Sequence, residues 1–216
     1  MKPTKIILSI LISTFMVVAQ SKTPEFKGLT EGTDYTKTQI LETIKPSNGQ
    51  KPVFVEFFWY GCSHCFKMKD MSATLAKKYG SKIEYIKYPV GFPNWESGAK
   101  IFFTLEELNL EDKLHDKTFD EVHLNRNNIL MDKKRLDTFL TKNGVDITKF
   151  NSIYNSFSVN SKWIKSQKMV VSHSITGSPN FAVYSGGYTY QTTPSLSGGY
   201  PKTIDNLDII LSSKIK

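Results

Sequence analysis

An α/β fold with an inserted all-helical segment is predicted by three features of the sequence. A strand–helix–strand unit reads across residues 53–90, helical periodicity fills residues 91–174, and the chain then returns to two short strands and a closing helix. At the first strand-to-helix turn stands Gly61-Cys62-Ser63-His64-Cys65, which holds both cysteines of the chain.

Met1 to Ala19 reads as a targeting segment. Lys2 and Lys5 form a short positive end, Ile6 to Val18 is almost wholly apolar, and Val17-Val18-Ala19 offers small residues for cleavage. Cleavage after Ser21 fits the same pattern. The apolar run is too short to span a bilayer core of about 30 Å, and it holds no cysteine for a lipid anchor. The mature chain is therefore expected to be exported, without stable membrane insertion. Loss of residues 1–19 leaves 197 of the 216 residues, enough to bury a core without disulfide staples. It also lowers the formal charge from +8 to +6. The lysines are scattered and Arg126 and Arg135 are the only arginines, so nucleic acid is not an expected partner.

Thr33 to Ile40 alternates loosely, as a first strand, and Pro46 to Pro52 is a loop by composition. Val53-Phe54-Val55-Glu56-Phe57-Phe58-Trp59 is rich in β-branched and aromatic residues and reads as a buried strand. Phe66, Met68, Met71 and Leu75 follow at roughly helical spacing, and Ile83 to Val90 is the next strand, parallel to the first of the unit. Phe92-Pro93-Asn94 opens the helical stretch. Its helices are expected around Ala99 to Leu108, over Glu111 to Leu124, after the caps Asp132 and Asp146, and from Trp163 to Ser172. Asn143-Gly144 closes the third. Phe181 to Tyr184 and Tyr188 to Thr192 flank a hairpin signal at Ser185-Gly186-Gly187, and Thr203 or Asp205 caps the last helix. The expected division is a signal peptide (1–19), a discontinuous α/β domain (20–90 and 175–216) and a helical insertion domain (91–174).

The cysteine spacing points to thiol–disulfide exchange. Residues three apart on a helical turn share a face, close enough for a disulfide. Cys62 falls at the start of the helix, where unpaired N–H groups and the dipole favour a thiolate. A stabilised thiolate makes the disulfide more oxidising. His64 adds to this if its ring is cationic or donates to the Cys62 sulfur. Cys65, a turn deeper, is the resolving thiol. A structural disulfide would close too short a loop to constrain the chain. A zinc site would need further ligands, and His115, His123 and His173 lie far off without metal-binding spacing. No metal or cofactor beyond the disulfide is expected.

Together the strand–helix–strand unit, the cysteine motif at its turn, and Gly177-Ser178-Pro179 before a hairpin and terminal helix resemble the thioredoxin fold. The inserted helices narrow the resemblance to the DsbA family of exported thiol oxidases, with further matches at Val55-Glu56-Phe57-Phe58, Ile86-Lys87-Tyr88 and Asn155-Ser156-Phe157. The resemblance implies a thioredoxin-like fold with an all-helical insertion. It makes Cys62 the exposed nucleophile, Cys65 its buried partner, His64 the residue that stabilises the thiolate, and Pro179 a cis-proline facing the disulfide. It makes Glu56 and Lys87 a charged pair that handles the proton of the inner thiol. It further implies a substrate groove near Trp59, Ser178, Pro179 and the insert. Partners so implied are unfolded exported proteins with free thiols and a membrane quinone-linked re-oxidase of the DsbB type, in a periplasm. No dimerisation domain is evident, so a monomer is expected. Ser63 stands where proline is commoner, and Ser178 where valine or threonine is more usual, so the redox strength is open. A reductase or isomerase of the same fold, and a peptide-holding chaperone, are the alternatives.

Overall fold

The computed structural model describes residues 25–39, 44 and 51–215. The expected targeting segment and most of the 46–52 loop lie outside the described residues. The edge strand β1 (Thr36–Gln39) is followed by β2 (Val53–Phe58), whose six residues are all buried. Side chains of a strand alternate between faces. Phe54 therefore joins one core with Met68, Leu75, Phe181 and Leu207, while Val53, Val55 and Phe57 join the opposite core with Met169, Ile175 and Tyr184.

Helix α1 (Ser63–Tyr79) carries the chain from β2 to β3 (Glu84–Pro89), which pairs parallel with β2. The parallel strand–helix–strand reading is thus realised. The next part of the chain is helical: α2 (Glu96–Glu107), α3 (Glu111–His123), α4 (Lys133–Lys142), α5 (Ile147–Tyr154) and α6 (Phe157–Ser172). Asp132 and Asp146 cap α4 and α5 through their side chains, as expected. Strand β4 (Asn180–Ser185) then pairs antiparallel with β2, and β5 (Tyr188–Thr192) returns beside it. Gly186 and Gly187, at φ 59° and 83°, supply the two positive-φ positions that a tight hairpin needs. The sheet order is β1-β5-β4-β2-β3. A single turn, α7 (Pro194–Ser197), leads to α8 (Tyr200–Lys214), which packs beside α1 over the sheet. This is the expected thioredoxin-like fold with helices inserted between β3 and β4.

The inserted helices share one core with the cysteine motif. Phe102, Leu105, Phe119, Leu140 and Phe150 cluster with Phe58, Tyr60, Cys62 and Cys65. On the other side α6 is pressed against the end of β3. Ser166 Oγ donates to the Pro89 carbonyl at 2.5 Å, and a Cβ on Gly91 would lie 2.3 Å from the Gln167 nitrogen.

Two helix starts differ from expectation, and one short helix is new. Helix α6 starts at Phe157 rather than near Trp163, because the Ser156 hydroxyl caps the Val159 N–H. Phe157 is 87% exposed, so the first turn carries no apolar periodicity to announce it. Helix α8 starts at Tyr200, with Gly199 as its cap and Pro201 in its first turn. Thr203 instead is buried and bonds back to the Gly199 carbonyl, so neither it nor Asp205 is the cap. The short α7, capped by Thr193, was not expected at all.

Candidate active site

Cys62 is the N-cap of α1, with extended backbone at φ −86° and ψ 113°. Its sulfur accepts the Cys65 backbone N–H at 3.2 Å, as a capping oxygen would. The turn before it closes through the Cys62 N–H, which donates to the Trp59 carbonyl at 3.0 Å. Only glycine fits at position 61, since a Cβ there would come within 2.5 Å of the Trp59 ring.

Both thiols are free here. Cys65 is fully buried, and Cys62 is only 9% exposed, which corrects the expectation of an open nucleophile. The reason lies across the site. The Ser178–Pro179 bond is cis, as expected, and the Cys62 thiol donates to the Ser178 carbonyl at 3.3 Å. The proline loop therefore covers the sulfur. A hydrogen bond from the Cys65 thiol is the largest influence on Cys62. Assisted by Ser178 and by the backbone N–H groups of Cys65 and His64, it outweighs burial and lowers the Cys62 pKa to about 5. Burial pushes the Cys65 thiol well above its usual range, and the neighbouring Cys62 adds to the effect. The two sulfurs are thus unlike: one ionises readily, the other holds its proton.

Ser178 contributes more than a carbonyl. Its hydroxyl is buried and makes no hydrogen bond in this geometry, while facing both sulfurs closely enough to favour their ionised forms. A cleft of about 310 Å³ opens beside it, lined by His64, Thr176, Pro179, Asn180, Thr193 and Tyr200 among others. His64 departs from its expected contact. Its ring Nδ1 bonds the Tyr200 hydroxyl, and only its backbone N–H supports the Cys62 sulfur. Trp59 also lies elsewhere, stacked on Trp95 with ring centroids 4.4 Å apart and absent from the cleft lining.

Beneath the motif, Glu56 is buried on the face of β2 that meets α1. Ser72 Oγ and the Tyr85 hydroxyl each donate to its Oε2 at 2.5 Å. Burial raises its pKa, and the two hydrogen bonds and the charge of Lys87 oppose that rise without cancelling it. Lys87 stands opposite Glu56 in the β2–β3 register, but its ammonium bonds Glu111 of α3 at 2.6 Å. The direct Glu56–Lys87 pair is therefore replaced by two separate arrangements. Ser72, Tyr85, Glu111 and Tyr200 were not singled out from the sequence, because each reaches the site only through tertiary packing.

Among the described residues no three His, Cys, Asp or Glu side chains converge as a metal site, and no helix is long and apolar enough to cross a membrane. No protein-family model matches the chain. It is 30% identical over 181 residues to the thiol:disulfide interchange protein DsbA of Burkholderia cepacia, covering 83% of each chain. Against the DsbA of Bordetella pertussis it is 34% identical over 168 residues, covering 74% of this chain and 76% of that one. The crystal structure of Pseudomonas aeruginosa DsbA superposes with a TM-score of 0.74 at 28% identity, over 85% of this chain and 93% of that one. With two unlike thiols, one capping a helix and the other in its first turn, beneath a cis-proline loop, and relatives that match over most of their length, the chain belongs to the DsbA family of thiol:disulfide oxidoreductases.

Proposed function

We propose that this oxidoreductase works as an oxidase, donating its Cys62–Cys65 disulfide to exported proteins in a periplasm. The observation that carries the direction is the contrast between the sulfurs: Cys62 lowered to about 5 while Cys65 is raised. A disulfide whose attacked sulfur leaves as a stable thiolate is a strong oxidant. A substrate thiolate attacks Cys62, the Cys62–Cys65 bond breaks, and Cys65 leaves and takes up a proton. A second substrate thiolate then attacks the substrate sulfur of the mixed disulfide, and Cys62 departs as the thiolate. The substrate loses two electrons and two thiol protons, one proton ending on Cys65 and the other in solvent, and the enzyme is left reduced, with Cys62 as thiolate and Cys65 as thiol. Electrons then pass to a membrane quinone-linked partner of the DsbB type.

In this reading Cys62 is the nucleophile, Cys65 the resolving thiol, and Glu56 the group that supplies and accepts the proton of Cys65. The Ser178–Pro179 loop, with the cleft beside it, takes an extended substrate backbone. His64 acts through its backbone N–H and its bond to Tyr200, and Lys87 acts on Glu56 through space. The chain works as a monomer, with residues 91–174 as an insertion domain and residues 1–19 removed on export. The test is equilibration with glutathione. A potential well above that of thioredoxin, about −270 mV, is expected; a thioredoxin-like value would make the chain a reductase.

A further inference from the structure

Helix α3 carries Glu111, His115, Phe119 and His123 at intervals of four, a line along one side of the helix. All four meet the layer that holds the cysteines. Glu111 takes Lys87. His115 Nδ1 bonds the Tyr60 hydroxyl at 3.1 Å, and Phe119 meets the Tyr60 ring edge-on at 5.0 Å. His123 Nε2 lies 2.8 Å from the Tyr60 carbonyl, and its ring stacks on Phe66 at 4.8 Å and 18°. A carbonyl only accepts, so Nε2 carries the proton and donates. Tyr60 and Phe66 bracket the cysteine motif. The helix therefore grips the redox turn from both ends.

That grip supplies something the turn lacks. Gly61 has no Cβ, so local sterics do little to fix the peptide plane between Tyr60 and Gly61. The plane is set by what its carbonyl bonds, which is His123. Tyr60 itself is wholly buried and held at its other end by His115. The Cys62 sulfur, next but one along the chain, depends on donors at hydrogen-bond distance, where small displacements weaken the contact. We propose that His123 and His115 are positioning residues: by fixing Tyr60 at its carbonyl and its hydroxyl, they hold the Cys62 sulfur where its thiolate is stabilised. The idea rests on Cys62–Cys65 being the redox pair, and assigns the inserted helices a share in setting its potential.

The experiment compares full mature protein carrying His123→Asn, His123→Gln and Tyr60→Phe. Gln places an amide N–H near the position of Nε2, whereas Asn is too short to reach the carbonyl. Tyr60→Phe keeps the ring and removes the hydroxyl that bonds His115. Thiolate absorbance titration gives the Cys62 pKa, and glutathione equilibration gives the potential. His123→Asn is expected to raise the pKa by about one unit and to shift the glutathione equilibrium about tenfold toward oxidised enzyme, or about 30 mV. Gln should restore most of both, and Tyr60→Phe should move both in the Asn direction by less. If Asn and Phe variants lose thermal stability yet keep wild-type pKa and potential, the histidines merely support the fold and the proposal falls. A wild-type protein with an ordinary Cys62 pKa and a thioredoxin-like potential would instead overturn the oxidase reading.

Discussion

Glu56 and Lys87 face each other across the β2–β3 ladder, yet Lys87 gives its ammonium to Glu111 of the helical insert. Glu56 is left with two hydroxyl donors, Ser72 and Tyr85, and no direct cation. Burial in that setting favours the neutral form more than water does, so the pKa of Glu56 is raised. Glu56 keeps its proton to higher pH than a free carboxylate does, next to the helix that carries Cys65.

The first prediction follows from that sign. A carboxyl whose folded-state pKa lies above 4.5 contributes stability that is complete below 4.5 and lost as pH rises through the raised value. Glu56→Gln keeps an oxygen to accept from Ser72 and Tyr85 but cannot ionise. Its stability relative to wild type should therefore grow with rising pH. Urea unfolding of the oxidised proteins at several pH values checks this; a pH-independent offset would rule it out.

The second prediction concerns the redox forms. The Cys62 pKa is lowered from 9.0 to about 5, so the reduced fold gains stability that is complete above 9 and disappears as pH falls through about 5. The disulfide form carries no thiolate and gains nothing, and its short loop constrains the unfolded chain little. Reduced protein should resist denaturant better than oxidised protein at neutral pH, with the gap closing toward pH 5. An oxidised form more stable at pH 7 would show the thiolate is not stabilised in this way.

The third ranks two residues at the site. Ser178→Ala removes a hydroxyl that faces both sulfurs, while His64→Leu leaves the backbone N–H of residue 64 in place. Ser178→Ala should raise the Cys62 pKa by about half a unit to one unit, a change of about three- to tenfold in the thiolate-to-thiol ratio at a given pH. His64→Leu should raise it by less. Absorbance titration of both variants decides the order, and a larger effect at His64 would mean its ring reaches the sulfur in solution.

The fourth tests the division of labour between the cysteines. Cys65→Ala keeps the nucleophile and removes the thiol that releases mixed disulfides. Expressed in an oxidising compartment, it should accumulate adducts through Cys62, visible on non-reducing gels and abolished by Cys62→Ala. Recovery of the monomeric thiol alone would count against Cys62 as the attacking sulfur.

Much of this was legible because it is local. The buried strand from Val53, the cysteines at its exit, the hairpin at Gly186-Gly187 and the caps at Asp132 and Asp146 are each written within a few residues. Glu56 is marked by its place, the single charged residue in the apolar run from Val53 to Trp59. Partners were not legible. Ser72 and Tyr85 come to Glu56 from α1 and β3, Glu111 comes to Lys87 from the insert, and Tyr200 comes to His64 from 136 positions away. Periodicity says which face a residue occupies, not who arrives there. The start of α6 escaped for a different reason: its opening residue, Phe157, points to solvent, and a helix turn without an apolar stripe reads as loop.

The bond between Cys62 and Ser178 joins residues 116 positions apart. A chain made from its N-terminus presents both cysteines long before Ser178 exists, and before β4 can pair with β2. In that interval the motif has its spacing but not the loop that covers its sulfur. A growing copy of this enzyme is, until its last fifth emerges, one more incomplete polypeptide with two thiols not yet covered by that loop. Its own newborn chain carries the same two groups, free thiols, with which the folded enzyme exchanges disulfides.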